Sequence, residues 1–277
     1  MSTETLSRAG AKAPSTDQYK VTFPRLVKSE VIKLMTVRST VWTLAVLVFI
    51  VLGFAALMSF ALRSQDISDF GSELPLGASV ATFGISFGQL VIVVLGVISI
   101  GAEYSTGMIR STLSAAPTRV PALLAKMLVL GVVSFLVSAV AVIAAFFLTQ
   151  AILPASQTAG LGDPQVLRMH LGAALFMAVM AMFSVAVGAI VRSTAAGIAI
   201  IVGLVLILPG ILVSIPWEWV KTIGRYLPDA GMTVFAEEGS MYHGVWTGFG
   251  ILVLWTVVTT VLAAVLVRMV HLLTPAV

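Results

Sequence analysis

Six stretches of this 277-residue chain contain no Asp, Glu, Lys or Arg: 39–62, 74–102, 127–162, 169–191, 193–217 and 239–267. A helix crossing the hydrocarbon core of a bilayer needs about 20 mainly apolar residues, and only closed hydrogen-bonding structures survive there. Each stretch is long enough to cross once, and none is long enough for two crossings and a turn. Charged residues make up 10% of the chain, against about 25% in soluble domains. The apolar surface must therefore face lipid as well as protein. The expected fold class is an all-α integral membrane domain over 21–277. Its spans are expected at about 40–62, 78–101, 122–150, 169–191, 194–214 and 243–268. Residues 1–20, rich in Ser, Thr and Ala, read as a disordered cytoplasmic tail. The first apolar run begins behind that basic leader, so no cleavable signal peptide is expected.

The charges between the spans set an orientation. With both termini inside, the inner segments hold twelve Lys or Arg and four Asp or Glu, net +8. The outer segments hold four and eight, net −4. Excess Lys and Arg marks the cytoplasmic side, so both termini are expected in the cytoplasm of a cell inner membrane. The pI of about 9.6 is then a topology signal and requires no nucleic acid.

Several functions are disfavoured by what the spans lack. Ion-coupled carriers and proton pumps place ionisable groups at membrane depth, whereas here Glu103, His170, His243 and His271 sit at span ends. The chain has no H-E-x-x-H, no G-x-S-x-G and no cysteine. No catalytic residue and no metal ligand set is expected. A P-loop of the form G-x-x-x-x-G-K-[ST] is also missing, so any ATP-driven work would draw on a partner.

Three other features stand out. Residues 23–38 form an amphipathic basic helix, with Val27, Val31, Leu34 and Met35 on one face and Arg25, Ser29, Lys33 and Thr36 on the other. It suits the inner headgroup plane, either as a plain anchor or as a contact for a cytoplasmic partner. Residues 215–235 contain a second amphipathic helix, started by Pro216 and stopped by Pro228. Trp217, Trp219 and Tyr226 suit the outer interface, as a surface helix or as a gate. The fourth span carries Phe176, Met177, Met180 and Phe183, which fit an adaptable apolar substrate path or ordinary helix packing.

Between the second and third spans runs E-Y-x-x-G-x-x-R-x-x-L-x-x-x-P-x-R, formed by Glu103, Tyr104, Gly107, Arg110, Leu113, Pro117 and Arg119. It resembles the first cytoplasmic loop of the type-2 permeases of ATP-binding-cassette (ABC) exporters. The S-E-x-x-K-L-x-T-x-R-S string from Ser29 to Ser39 is similar to their N-terminal helix. The resemblance implies that 103–119, including Met108 and Ile109, is a coupling helix docked on a cytoplasmic ABC ATPase dimer. It implies that 23–38 is an elbow helix, with Arg25, Lys28, Glu30, Lys33 and Arg38. A re-entrant outer gate with Trp217, Trp219, Tyr226 and Pro228 follows from the same likeness. A second permease subunit, identical or related, completes the translocation path. ATP and Mg would bind the partner ATPase, with no cofactor on this chain, and membrane lipids are the other expected partners. The expected function is export of a hydrophobic or amphipathic substrate: drug, antibiotic, peptide or lipid. The alternative is a non-transporting membrane scaffold.

Overall fold

The computed structural model describes residues 22–63, 76–105, 119–238 and 243–273, and these are all helix or short connection. The tail 1–20 lies outside them. Helix α1 spans Phe23–Thr36, with Pro24 in its first turn, where a missing N–H costs nothing. It ends at Val37, a single extended residue (φ −83°, ψ 107°), and α2, Arg38–Leu62, starts at once. The second span is broken into α3, Leu76–Phe83, and α4, Ile85–Ser105. Then come α5, Arg119–Ile152, and α6, Pro164–Val191. The fifth span consists of α7, Thr194–Val202, a π-helical turn, Gly203–Ile207, and α8, Leu208–Ser214. Short α9, Glu218–Arg225, and a 3₁₀ segment, Pro228–Phe235, lead to α10, Val245–Leu273.

Among the described residues six helices are long and apolar enough to cross a membrane, giving a multi-pass architecture. Their ends depart from the expected ones where local chemistry sets the boundary. The fourth span starts at Pro164 rather than near 169, because Asp163 caps it by accepting from the Gln165 N–H at 2.8 Å. Arg168 is thereby drawn inside the helix. At the other end Arg192 takes a left-handed conformation (φ 57°), and Ser193 caps α7. The π-helical turn has a cause two residues later. Pro209 lacks an N–H, and its ring crowds the carbonyl of Val205, so the ladder widens there.

Helix α6 is the hub. It packs against α4, α5, α10 and the 3₁₀ segment. In its most apolar stretch 72% of α6 is buried, against 17% for the fifth span. Between helices in lipid, contact rather than water expulsion holds the pair, so small residues decide how closely they approach. Gly96 of α4 faces Ser184 of α6; a Cβ on Gly96 would lie 2.5 Å from the Ser184 Cβ. Gly84, between α3 and α4, abuts α2 so closely that a Cβ would lie 2.7 Å from both the Cα and the carbonyl oxygen of Val51. Buried hydroxyls bond back along their own helices, as Ser59 to the Ala55 carbonyl and Ser184 to Met180, both at 2.7 Å.

These contacts predict a contrast within one residue type. Gly84→Ala forces backbone against backbone and should destabilise the protein by roughly 1–3 kcal/mol. Gly53→Ala, with open space around it, should be neutral or slightly stabilising. Thermal unfolding of the two variants in detergent measures the difference.

Candidate functional site

The most unusual chemistry of the fold is a cluster of four charges where α1, α4 and α5 meet. Glu30 and Lys33 lie one turn apart on α1, and their Oε1 and Nζ atoms are 2.7 Å apart. Lys33 also reaches Oε1 of Glu103, in the last turn of α4, at 3.2 Å. From the second turn of α5, Lys126 donates to Glu30 Oε2 at 2.7 Å and forms an ion pair with Glu103 Oε1 at 2.9 Å. The side chains of Glu30, Glu103 and Lys126 are no more than 10% exposed, while Lys33 is about one-third exposed. Each cation meets both carboxylates, so the charges form a closed ring. Desolvating such ions is expensive, and the ring holds because every charge has opposite partners at hydrogen-bond distance.

Titration follows from that arrangement. Burial alone would raise the Glu30 pKa, but Lys126 and Lys33 outweigh it and hold the carboxyl below its ordinary value. Burial opposes the charge of Lys33, and Glu30 and Glu103 outweigh it and raise the pKa. The Glu30 contribution to stability is present above its unfolded value of 4.5 and fades as pH falls through the lower folded one. The Lys33 contribution is present below 10.5 and fades as pH rises through the higher folded value. From pH 5 to 9 Glu30 and Lys33 both stay ionised.

The ring also decides how α1 sits. Leu26, Val27, Glu30, Lys33 and Leu34 turn toward the bundle, whereas Val31, Ile32 and Met35 are exposed. The sequence had put Val31 and Met35 with Val27 and Leu34 on one apolar face. Pairing of the α1 charges with Glu103 and Lys126 rotates the helix away from that pattern. Arg25, Lys28 and Arg38 are exposed.

Glu103 and Lys126 stand on the two stems that flank residues 106–118. Of the string Glu103–Arg119, Glu103 and Tyr104 are described, and Arg119 opens α5. Gly107, Met108, Ile109, Arg110, Leu113 and Pro117 lie outside the described residues. Tyr104 donates its hydroxyl to the Ala189 carbonyl at 3.4 Å, tying the α4 stem to the hub.

The four apolar residues of the fourth span lie deep in the hub. Phe176, Met177 and Met180 are 0% exposed and Phe183 is 1%. Phe176 meets Phe235 edge-on at 5.5 Å, and Met177 faces Gly88 of α4. In this structure they are enclosed by neighbouring helices of the same chain. His170, near the start of α6, is enclosed as well: it is 2% exposed, its Nδ1 lies 2.7 Å from the Val166 carbonyl, and its ring meets Phe146 edge-on.

The segment after the fifth span folds back over the bundle. Trp217 and Trp219 stack at 6.0 Å and are exposed, as is Tyr226, whereas Pro228 is buried. The charged face of α9 is held by Glu218 with Lys221 at 3.0 Å and Arg225 at 3.6 Å. Trp255, ten residues into α10, donates to the Tyr226 carbonyl at 2.8 Å. At 1.5 Å per residue this contact lies about 15 Å along the last span. Arg168 completes the attachment, donating to the carbonyls of Val234, Ala236 and Glu237 at 3.0, 2.9 and 2.7 Å. The sequence reading had counted Arg168 only as an outer-loop charge. Asp229 is half-buried, with Oδ1 lacking a partner among the described residues, and burial pushes its pKa up to about 6.

Among the described residues no group of three or more His, Asp or Glu could hold a metal ion. No family model matches the chain, and no curated protein matches it.

Two outcomes follow from the charges. Lys126→Met leaves two carboxylates sharing one ammonium and should cost roughly 3 kcal/mol in unfolding free energy. Removing the orphaned charge as well, by Glu30→Gln combined with Lys126→Met, leaves Lys33 paired with Glu103 and should recover part of that loss, as a double-mutant cycle of the two changes would show. Asp229 behaves differently. Its raised folded pKa gives stability that is full below 3.8 and lost as pH rises through about 6. Wild-type protein should therefore have a higher unfolding midpoint at pH 5 than at pH 7.5, and Asp229→Asn should flatten that difference.

Proposed function

We propose that this chain is the membrane permease subunit of an ATP-binding-cassette exporter, oriented with both termini in the cytoplasm. The ring of Glu30, Lys33, Glu103 and Lys126 supports this reading most directly, because it fastens both stems of the 106–118 segment to α1. A segment that receives force from a motor needs stems that do not yield separately. The sequence string Glu103–Arg119 supplies the resemblance, and the ring supplies a physical means of passing movement into α1, α4 and α5.

In this scheme an ATPase dimer, carrying ATP and Mg, docks on the 103–119 segment, with Arg110 as a contact. Closure of the dimer displaces the segment. The ring carries the displacement into α1 and, through the single residue Val37, into α2. Tyr104 carries it into α6. The outer segment, bonded along α10 through Trp255, would open in the opposite phase. The substrate would be hydrophobic or amphipathic, crossing beside a second permease subunit. A membrane scaffold could share this architecture but would not couple to ATP hydrolysis.

The test is purification of the chain from its native membrane to see whether a P-loop ATPase accompanies it, followed by reconstitution of the pair. A stable complex with substrate-stimulated ATP hydrolysis is expected. Arg110→Glu should lower complex formation at least about tenfold, an effect of ~1.4 kcal/mol. Failure of any ATPase to bind, or indifference to Arg110→Glu, would defeat the reading and favour the scaffold.

A further inference from the structure

A cavity of about 230 Å³ lies between α1, α2, α4 and α5, directly beside the charge ring. Leu34, Leu95 and Leu130 form much of its apolar wall, and Glu30, Lys33, Glu103 and Lys126 form its polar end. Val37, Ser39, Ile98 and Ala102 also line it and are exposed, so the cavity opens sideways between α2 and α4. The opening faces the zone where the membrane span α2 begins and the surface helix α1 ends.

The hydrogen-bonding capacity of the ring is not used up. Both oxygens of Glu30 accept from a lysine, and Glu103 Oε1 accepts from Lys33 and lies 2.9 Å from the Lys126 ammonium. Glu103 Oε2 has no hydrogen bond among the described residues. An ammonium carries three N–H groups. Lys33 uses two of them, on Glu30 and Glu103, and Lys126 uses one on Glu30, so each keeps at least one. The polar end thus offers one carboxylate oxygen and two ammonium donors.

The formal charges of the ring cancel. A head group with net charge would add an unbalanced ion to a poorly solvated place, at a cost of several kcal/mol. A neutral polar head would meet the remaining lysine N–H groups and Glu103 Oε2 with uncharged bonds only, roughly half as strong as charge-assisted ones. A zwitterion satisfies both conditions. We propose that this cavity binds a zwitterionic membrane lipid with a primary ammonium head, of the phosphatidylethanolamine type. Its ammonium donates to Glu103 Oε2, its phosphate accepts from Lys33 and Lys126, and part of one acyl chain lies against Leu34, Leu95 and Leu130. Pockets that enclose a whole ligand measure roughly 300–1,000 Å³. This cavity is smaller, so the remainder of the lipid stays in the bilayer. A bound lipid would brace the ring, because its head bridges α4 to α1 and α5. The proposal depends on membrane embedding but not on what the chain transports.

Native mass spectrometry of the full chain, released from vesicles of equal parts phosphatidylethanolamine, phosphatidylcholine and phosphatidylglycerol, tests this. Wild-type protein should retain phosphatidylethanolamine with at least about tenfold enrichment over phosphatidylglycerol, an effect of ~1.4 kcal/mol. Phosphatidylcholine, whose quaternary head has no N–H to donate, should be retained less. Ala102→Phe fills the opening from an exposed position and should abolish retention; Ser99→Leu does the same from the cavity wall and serves if the first variant does not fold. Preference for phosphatidylglycerol, equal retention of all three lipids, or undiminished retention in a folded filled variant would each overturn the proposal. So would wild-type binding of glycerophosphoethanolamine as tight as that of the lipid, because the apolar wall would then contribute nothing. A permease reading that fails for want of an ATPase leaves these outcomes unchanged.

Discussion

Helices in a bilayer gain little by hiding apolar side chains from lipid, because lipid is equally apolar. What holds them is close contact, and the arrangement here depends on how near α6 lets its neighbours come. Gly96 against Ser184, Gly188 against Ile100 and Gly172 against the Val234 carbonyl are contacts that a single added methyl would obstruct. The hub is rich in alanine and glycine for that reason. Large apolar residues also cover the outer faces, where Trp42, Phe49 and Phe60 of α2 are all more than half exposed.

Against this apolar background the charge ring is the chief polar junction of one end of the bundle. It joins three elements that are distant in sequence, and no regular backbone hydrogen bonding could link them. In low dielectric a half-paired carboxylate is far costlier than in water, so ring geometry tolerates little separation of its members. Elements joined in this way move together or not at all. The Trp255–Tyr226 bond and the three carbonyls held by Arg168 give the opposite end a similar, though mostly uncharged, fastening.

The existence and approximate limits of six spans were legible because the spans exclude charge almost completely, a signal that needs no tertiary information. Span boundaries were less so. Asp163 and Arg168 read as loop charges, yet one caps α6 and the other lies inside it, paired with carbonyls from a segment over sixty residues away. The break at Gly84 and the π-helical turn before Pro209 were not read from the sequence; the second had a visible signal in a proline within an apolar run. The ring was hidden for a different reason. Periodicity assigned α1 an apolar face containing Val31 and Met35, and only the positions of Glu103 and Lys126 reveal why the helix turns Glu30 inward. Opposite charges near the ends of three neighbouring elements were the available clue. Whether Phe176 and the methionines faced a chamber or a helix contact could not be settled by residue type, since both uses call for soft apolar side chains.

The enclosure of Phe176, Met177, Met180 and Phe183 has a consequence for movement. Nothing the size of a solute can pass these side chains while α6 keeps its contacts with α4, α5 and α10. A route along them would require a second conformational state, in which the hub has separated from at least one neighbour. The work of that separation is the loss of close van der Waals contact along a helix, and a residue added at Gly96 or Gly172 would favour the parted state over the closed one.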